Sequence, residues 1–380
     1  MRPAIDLVMP VYNEEKVLPE VLASLNAQVD STGAPLPRGM FRIVAVDNAS
    51  TDGSRRVLEN WSGTPETIVL AEPEKGVVAA RARGGRFALG DFSRTIIVHT
   101  DSDSLFPGTF IDTISRRFNS GEIDVLSYSG FPPTDYWLRV PRLARRQFAE
   151  VGSISFSPES MVALGFDERS ALLTPGIFRD FQNVPMQCGY AMTKDIYCRV
   201  GGYIREFNQD GTERLGEARN LAFRLDRAGA RFDHVLTPAV ALNPRRQLLE
   251  AKDLWAGKSY TQGMTDLRDE IVQEHYFLLD ETSASLDYES ARRNAVQRLI
   301  VDPCIARPSR LSDNRRYFGS AFDAIWRRIE TFHKTNDIRL YVEARPFSDE
   351  LTNEYYRSIV QNILSFRGLA PLSETHGVPV

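Results

Sequence analysis

Arg42-Ile43-Val44-Ala45-Val46-Asp47 runs straight into Asn48-Ala49-Ser50-Thr51-Asp52-Gly53-Ser54: an apolar stretch of strand length ends in a polar, Gly-containing loop that opens a helical pattern. The same succession recurs on both sides. Residues 5–11 (IDLVMPV), 67–71 (TIVLA) and 95–99 (TIIVH) are further short β-branched runs. Their nearly unbroken apolar character suits strands buried on both faces of a parallel sheet. Helical patterns lie between them: Glu14 to Gln28, with Val17, Leu18, Val21, Leu22 and Leu25 on one face, then Ser54 to Trp61, then Gly76 to Leu89. Three alternations of strand and helix predict a doubly wound α/β domain. Ligands of such sheets sit beyond the carboxyl ends of the strands. That directs attention to Tyr12-Asn13-Glu14, Asp47 to Asp52, Glu72 to Gly76 and Asp101-Ser102-Asp103, all of them polar.

Further along, the pattern is mixed: helix over 107–119, strand over 123–130, a Pro-rich aromatic segment over 131–141 and a helical stretch over 213–229. After Arg246 the chain becomes mainly helical and strongly charged to about residue 370, with loops expected around 303–313. A chain of 380 residues suits one domain of about 230 to 250 residues and a smaller one. The expected division is 1–248 and 249–380. Pairs such as Arg292-Arg293 and Arg327-Arg328 read as solvated faces.

Hydrophobic content of 42% and charged content of 25% are those of a globular protein, and a net charge of -4 offers no broad basic field for nucleic acid. Cys188, Cys198 and Cys304 form no CxxC pair, which argues against a zinc site or disulfide framework and fits a reducing cytoplasm. Asp6 interrupts the apolar run a signal peptide would need, and no stretch of ~18 apolar residues occurs. A soluble cytoplasmic protein without a transmembrane segment is therefore expected.

Asp101-Ser102-Asp103 places two carboxylates one residue apart at a strand end, where both can engage one hard cation such as Mg²⁺ or Mn²⁺ together with substrate phosphates and water. By itself the triplet also suits a solvated turn. Its neighbours decide: Asp47 and Asn48 open a loop able to hold a base and ribose, although Ser50, Thr51 or Asp52 also suit capping the helix at Ser54.

Pro10-Val11-Tyr12-Asn13-Glu14-Glu15, Val46-Asp47-Asn48-Ala49-Ser50-Thr51-Asp52-Gly53-Ser54 and Asp101-Ser102-Asp103 together resemble family 2 glycosyltransferases of the GT-A fold. The resemblance implies a GT-A, Rossmann-like domain with a doubly wound mixed sheet, followed by a mainly helical C-terminal region. It implies that Pro10, Val11, Tyr12 and Glu14 line a base pocket, that Asp47 contacts the base, and that Asp101 and Asp103 meet ribose and metal, with Ser102 between them. Gly76-Val77-Val78-Ala79-Ala80-Arg81-Ala82-Arg83-Gly84 is similar to the family's GxxxARNxG helix, which puts Arg81 near the nucleotide; Ala82 stands where Asn is usual.

Gly201-Gly202-Tyr203 and Gly216-Glu217-Ala218 resemble the family's GGF and GED elements. Ala218 occupies the position of the Asp commonly assigned as general base, so the role passes to Glu217, with Glu213 or Asp210 as substitutes. Arg245 and Arg246 are similar to a family segment whose paired arginines bind phosphate or carboxylate. Trp137 lies where relatives contact the acceptor. The implied activity is metal-assisted transfer of a sugar from a UDP, GDP or dTDP sugar to a hydroxyl, with inversion. A retaining GT-A transferase and an inactive sugar-nucleotide-binding protein are the alternatives that Ala218 raises. The C-terminal region is expected to serve the acceptor or homo-oligomerisation.

Overall fold

A computed structural model of the chain describes residues 4–131, 189–207, 217–243, 293, 296–313 and 315–366. Strand β1 (Ile5–Val11) is fully buried at Ile5, Leu7, Val8, Met9 and Val11, so both its faces are covered. It pairs in parallel with β2 (Phe41–Asp47) on one side and β4 (Ile96–Thr100) on the other, and β3 (Glu66–Ala71) adds in parallel to β2. Val11 lies opposite Asp47 and Asp47 opposite Ala71, so these strands end level. The chain winds outward from β1 to β3 and then crosses to β4, which makes the gap between the ends of β1 and β4 the topological switch point.

Beyond β4 the sheet turns mixed. β7 (Gly189–Thr193) is antiparallel to β4 and to β6 (Val125–Phe131), β8 (Phe232–Leu242) runs parallel to β6, and β5 (Ser104–Leu105) pairs antiparallel with β8. Among the described residues the order is β3-β2-β1-β4-β7-β6-β8-β5. The α/β mixed sheet expected of a GT-A domain is what forms.

Helix α1 (Leu18–Asn26) buries Leu18, Val21, Leu22 and Leu25, four of the five residues of the apolar face read from the sequence. It starts four residues later than the periodicity predicts. Asn13 adopts a left-handed φ of 54°, which breaks the helical path after β1, and Pro19 fits the first turn of the helix. Helix α2 spans Ser54–Glu59. Helix α3 (Val77–Leu89) lies directly on β1 because Gly84 has no side chain, a Cβ there standing 2.3 Å from Val8 Cγ1, and Gly85 likewise leaves room for Tyr197, whose Oη would be 2.2 Å from a Cβ. Helices α4 (Phe110–Asn119) and α5 (Lys194–Arg199) complete this half.

At the amino end of the sheet, Asp6 is fully buried and holds Lys194 Nζ at 2.6 Å and Arg42 Nε at 2.6 Å. Lys194 Nζ also donates to the carbonyls of Ala88 (2.5 Å) and Asp91 (2.7 Å). The cluster ties β1, β2, α3 and α5 together.

Helix α6 (Glu217–Arg227) joins two cores. Leu221 and Leu225 pack in the cluster beneath α3, whereas Phe223 belongs to a separate core built by residues 296–364. That second core is helical, with α7 (Asp302–Ala306), α8 (Ser309–Asp313), α9 (Phe322–Thr335) and α10 (Tyr341–Phe366). Two short helices therefore replace the loops expected at 303–313. Helix α7 continues directly from a π-helical turn over Gln297–Val301, and Pro303 lies just after that turn. Arg328 is not a solvated face either: it pairs with Glu350 and Glu354 and stitches α9 to α10.

Candidate active site

The loops after β1 and β2 are laced together. Asn13 N–H donates to Ser50 Oγ (3.2 Å), Glu14 N–H to Ser54 Oγ (2.7 Å) and Glu15 N–H to Asp52 Oδ2 (3.1 Å). In return Thr51 N–H donates to Asn13 Oδ1 (2.8 Å) and Gly53 N–H to Glu15 Oε2 (2.8 Å). Ser54 donates to Asp52 Oδ1 through both N–H (2.9 Å) and hydroxyl (2.5 Å). Burial opposes ionisation of Asp52, but these donors outweigh it and hold its carboxyl below the usual range. A Cβ at Gly53 would meet the Glu15 carboxylate at 2.1 Å, so a larger residue there would have to push that side chain off the Gly53 N–H.

Asp47 and Asn48 extend the lacing to the loop after β3. Asp47 Oδ1 accepts from Ser50 N–H at 3.2 Å. The Asn48 amide donates to the carbonyls of Glu72 (3.1 Å) and Glu74 (2.7 Å) and accepts from Gly76 N–H (2.9 Å). Asn48 thus shapes the loop leading into α3. Val11 is likewise fully buried, and its carbonyl accepts from Asn48 N–H, so its part in the crevice is backbone shape. Glu14 is also buried, 2% exposed. Pro10 is half-buried at the last turn of β1, and Tyr12 stands at the rim, where Lys75 Nζ lies 5.1 Å from its ring centre and donates to its hydroxyl at 3.2 Å.

Behind the switch point lies a buried charge. Arg81, 3% exposed, donates from Nη2 to Asp101 Oδ1 at 2.6 Å and from Nη1 to Tyr203 Oη at 3.1 Å, while its Nε has no hydrogen-bond partner. Burial works against the guanidinium charge, but the Tyr203 hydroxyl, the Asp101 carboxylate and the Glu217 carboxylate favour it more, so its pKa is raised. Glu217 at the start of α6 is therefore near enough for its charge to act on Arg81. His99 is fully buried beneath it, edge-on to Tyr203 at 4.7 Å. Burial first, and the Arg81 charge second, depress the pKa of His99 and keep its ring neutral. Asp101 and Asp103 are partly exposed with Ser102 buried between them.

Among the described residues no group of three or more His, Cys, Asp and Glu side chains converges to hold a metal. A Mg²⁺ or Mn²⁺ site needs only one or two carboxylates when phosphates and water complete its shell. Asp101 and Asp103 fit that donor type, with one Asp101 oxygen already held by Arg81.

The structure thus brings Pro10, Tyr12, Asp47, Arg81, Asp101, Asp103 and Glu217 to the carboxyl end of the sheet and to the helix facing it. Trp137, Arg245 and Arg246 lie outside the described residues, as do Glu213 and Asp210. Sequence reasoning missed the part Tyr203 plays. Its only signal was its place in Gly201-Gly202-Tyr203, and the partner is 122 positions away. Lys75 at the rim was visible only as one polar residue of the loop after β3.

Polar loops gathered at the switch point of an α/β sheet, with a carboxylate pair at the next strand's end, lie where ligands of such sheets bind. Residues 6–161 match the profile of the family described as Glycosyl transferase family 2. An undecaprenyl-phosphate 4-deoxy-4-formamido-L-arabinose transferase of Shewanella sediminis is 32% identical over 121 residues, covering 31% of this chain and 34% of that protein. A poly(ribitol-phosphate) beta-glucosyltransferase of Bacillus spizizenii is 32% identical over 102 residues, 26% of this chain and 14% of that one. The matched segments thus span about a third or less of these relatives. Among solved structures, the Pyrobaculum calidifontis mannosyltransferase PcManGT, in complex with GDP-Man and Mn²⁺, is 14% identical with a TM-score of 0.42, covering 97% of this chain and 87% of that one. S. aureus TarS 1-349 with UDP is 14% identical at 0.44, covering 88% and 92%. Both likenesses are remote. Among the described residues no helix is long and apolar enough to cross a membrane.

Proposed function

We propose that the chain is a glycosyltransferase that moves a sugar from a nucleoside-diphosphate sugar (UDP, GDP or dTDP) to an acceptor hydroxyl, with divalent-metal assistance and inversion at the anomeric carbon. The observation that carries this reading is the Arg81–Asp101 pair at the switch point of a family 2 domain, with Glu217 close enough to bias the same guanidinium.

In this reading the base and ribose lie across Pro10, Tyr12 and Asp47, on loops whose lacing removes the entropy cost of ordering them when the donor arrives. Arg81 holds the Asp101 carboxylate in one orientation. Glu217 accepts the proton of the acceptor hydroxyl as the acceptor oxygen bonds to the anomeric carbon, and the bond from that carbon to the phosphate oxygen breaks with its electron pair leaving on the diphosphate. A cation bound by Asp101 and Asp103 would supply stabilisation of the charge on that leaving group. The division at residues 248 and 249, a cytoplasmic setting, and an acceptor-side role for Arg245, Arg246 and Trp137 belong to the same proposal.

Ala218 favours a second reading, a retaining transferase or an inactive sugar-nucleotide binder. NMR of the product's anomeric centre separates inversion from retention. A thermal-shift panel of UDP, GDP and dTDP sugars with and without Mn²⁺ tests the donor site, because a ligand of the folded state raises its melting temperature. One donor is expected to shift the protein only with metal, and Asp103→Ala to remove both that shift and metal-dependent donor hydrolysis. A panel with no shift, or an Asp103→Ala variant that hydrolyses donor like the parent, overturns the reading.

A further inference from the structure

Helix α6 presents two opposed faces to two different parts of the molecule. Arg219, Phe223 and Asp226 follow a spacing of four and three, which puts them on one side of the helix. All three meet the C-terminal helices. Arg219 Nε donates to Asp302 Oδ2 at 2.5 Å, and its guanidinium lies 4.6 Å from the Tyr341 ring centre. Phe223 packs in the C-terminal core with its ring 5.8 Å from Tyr341. Arg310 donates to Asp226 Oδ1 from Nε (2.7 Å) and Nη2 (2.6 Å). Asp302 is 5% exposed and also accepts from the Ser348 hydroxyl of α10, so both sides of that carboxylate are fixed.

Glu217 lies on the other side of α6, with Leu221, Arg224 and Leu225. Leu221 and Leu225 pack under α3, and Arg224 donates to the Val200 carbonyl just before Gly201-Gly202-Tyr203. The face that carries the candidate base is therefore continuous with the Tyr203–Arg81–Asp101 cluster. The opposite face is clamped by Asp302, Arg310 and Tyr341 and by the C-terminal core around Phe223.

We propose that the C-terminal helical region sets the position of Glu217, with Arg219 and Asp302 as positioning residues that lock α6 from behind. This rests on the reading of Glu217 as general base and adds to it what residues 302–366 do. Buried charge makes the lock selective. A paired carboxylate away from water holds one geometry, and removing one partner strands the other. A displacement of about 1 Å at a reacting group costs on the order of 100-fold in rate, so a small tilt of α6 reaches the chemistry without dismantling the donor site.

The test uses the full chain, with release of nucleoside diphosphate from whichever of UDP-GlcNAc, UDP-glucose and GDP-mannose the parent hydrolyses with Mn²⁺. Asp302→Asn is expected to lower kcat about 10-fold or more while donor KM stays within about 3-fold. Arg219→Lys, which keeps the charge, is expected to recover a substantial part of kcat, and Arg219→Met none. In parallel, amide exchange over 217–221 is expected to rise in Asp302→Asn with strands 5–11 and 41–47 as protected as in the parent. Glu217→Gln separates the two claims. If it turns over like the parent, or if the parent hydrolyses none of the donors, Glu217 is not the base and the positioning role falls with it. If Glu217→Gln is inactive but Asp302→Asn keeps both kcat and the exchange pattern of α6, the C-terminal lock alone is refuted. Equal loss of kcat and rise in KM with general loss of protection also refutes it, because that is unfolding and not positioning.

Discussion

Replacing Tyr203, Tyr197 and Tyr190 one at a time by phenylalanine removes a hydroxyl and leaves the ring, and the three hydroxyls hold different things. Tyr203 Oη accepts from Arg81 Nη1 at 3.1 Å, in a guanidinium whose Nε already lacks a partner. A hydrogen bond to a charged group contributes about 1.5–3 kcal/mol, and a stranded buried donor falls at the upper end of that range. The ring of Tyr203→Phe keeps its place 5.5 Å from the guanidinium and edge-on to His99, so those contacts survive. The expected loss is about 2–3 kcal/mol. Tyr197 Oη accepts only the Tyr203 N–H at 3.4 Å, a long neutral bond, so Tyr197→Phe is expected to cost about 0.5–1 kcal/mol. Tyr190 Oη is buried without a hydrogen-bond partner, and removing an unpaired buried hydroxyl relieves a cost of about 1–3 kcal/mol, so Tyr190→Phe is expected to be neutral or stabilising. Urea unfolding followed on the sheet domain measures all three as midpoint shifts at constant slope. The ranking must run 203, 197, 190 with a change of sign at the end. A Tyr203→Phe loss below about 0.5 kcal/mol would show that Arg81 is not held as described, and a Tyr190→Phe loss above about 1.5 kcal/mol would show that the Tyr190 hydroxyl is paired after all.

Two further outcomes follow from buried and half-buried charge. Asp6→Asn leaves Lys194, 1% exposed, without its carboxylate, and is expected to cost about 3–5 kcal/mol in chemical denaturation; the double variant with Lys194→Met is expected to recover most of that, and failure to recover would mean that the pair is not energetically coupled. Asp124 accepts from Arg231 through Nε, Nη2 and the backbone N–H, each at 2.9 Å, and the Arg231 side chain first among these holds its carboxyl below the usual 3.8. A carboxylate lowered by folding contributes stability that is complete above its unfolded value and is lost as pH falls through the folded one. Melting temperature is expected to fall below about pH 4, less steeply in Asp124→Asn and less in high salt, since Arg231 is half exposed; an acid limb identical in Asp124→Asn would refute the assignment.

Strands β1, β2 and β4 were legible because a strand covered on both faces has to be apolar at nearly every position, and only Asp6 breaks the rule in β1, where three basic side chains surround it. Strand β3 at the sheet edge corrects the expectation of burial on both faces, since its residues are half-buried or exposed. Helix ends were less so. The apolar face of α1 appears in the sequence from Val17, yet the helix waits for Leu18 because the 13–15 backbone is committed to Ser50, Asp52 and Ser54. The carboxylates and Arg81 could be read because they sit next to strand ends or on a patterned helix. Tyr203, Asp302 and Ser348 could not, because each acts on a partner 46 to 122 positions distant, and no local period encodes such a pairing.

The two ends of the sheet differ in how completely their charges are answered. At the amino end, Asp6 meets Lys194 and Arg42, and Lys194 fills its remaining capacity with two carbonyls in a cluster closed to water. That is the arrangement of a device whose only task is to hold strands together, and it leaves no valence for a ligand. At the carboxyl end Arg81 is as deeply buried, yet Nε is unpaired, its carboxylate partner keeps 27% of its side chain in water, and neutral His99 lies beneath with both ring nitrogens unpaired. Folding alone does not reward such incomplete satisfaction, and proteins keep it where a site must remain poised for another molecule. The incomplete pairing around Asp101 supports the proposal that this end of the domain is the working one, on grounds separate from any motif.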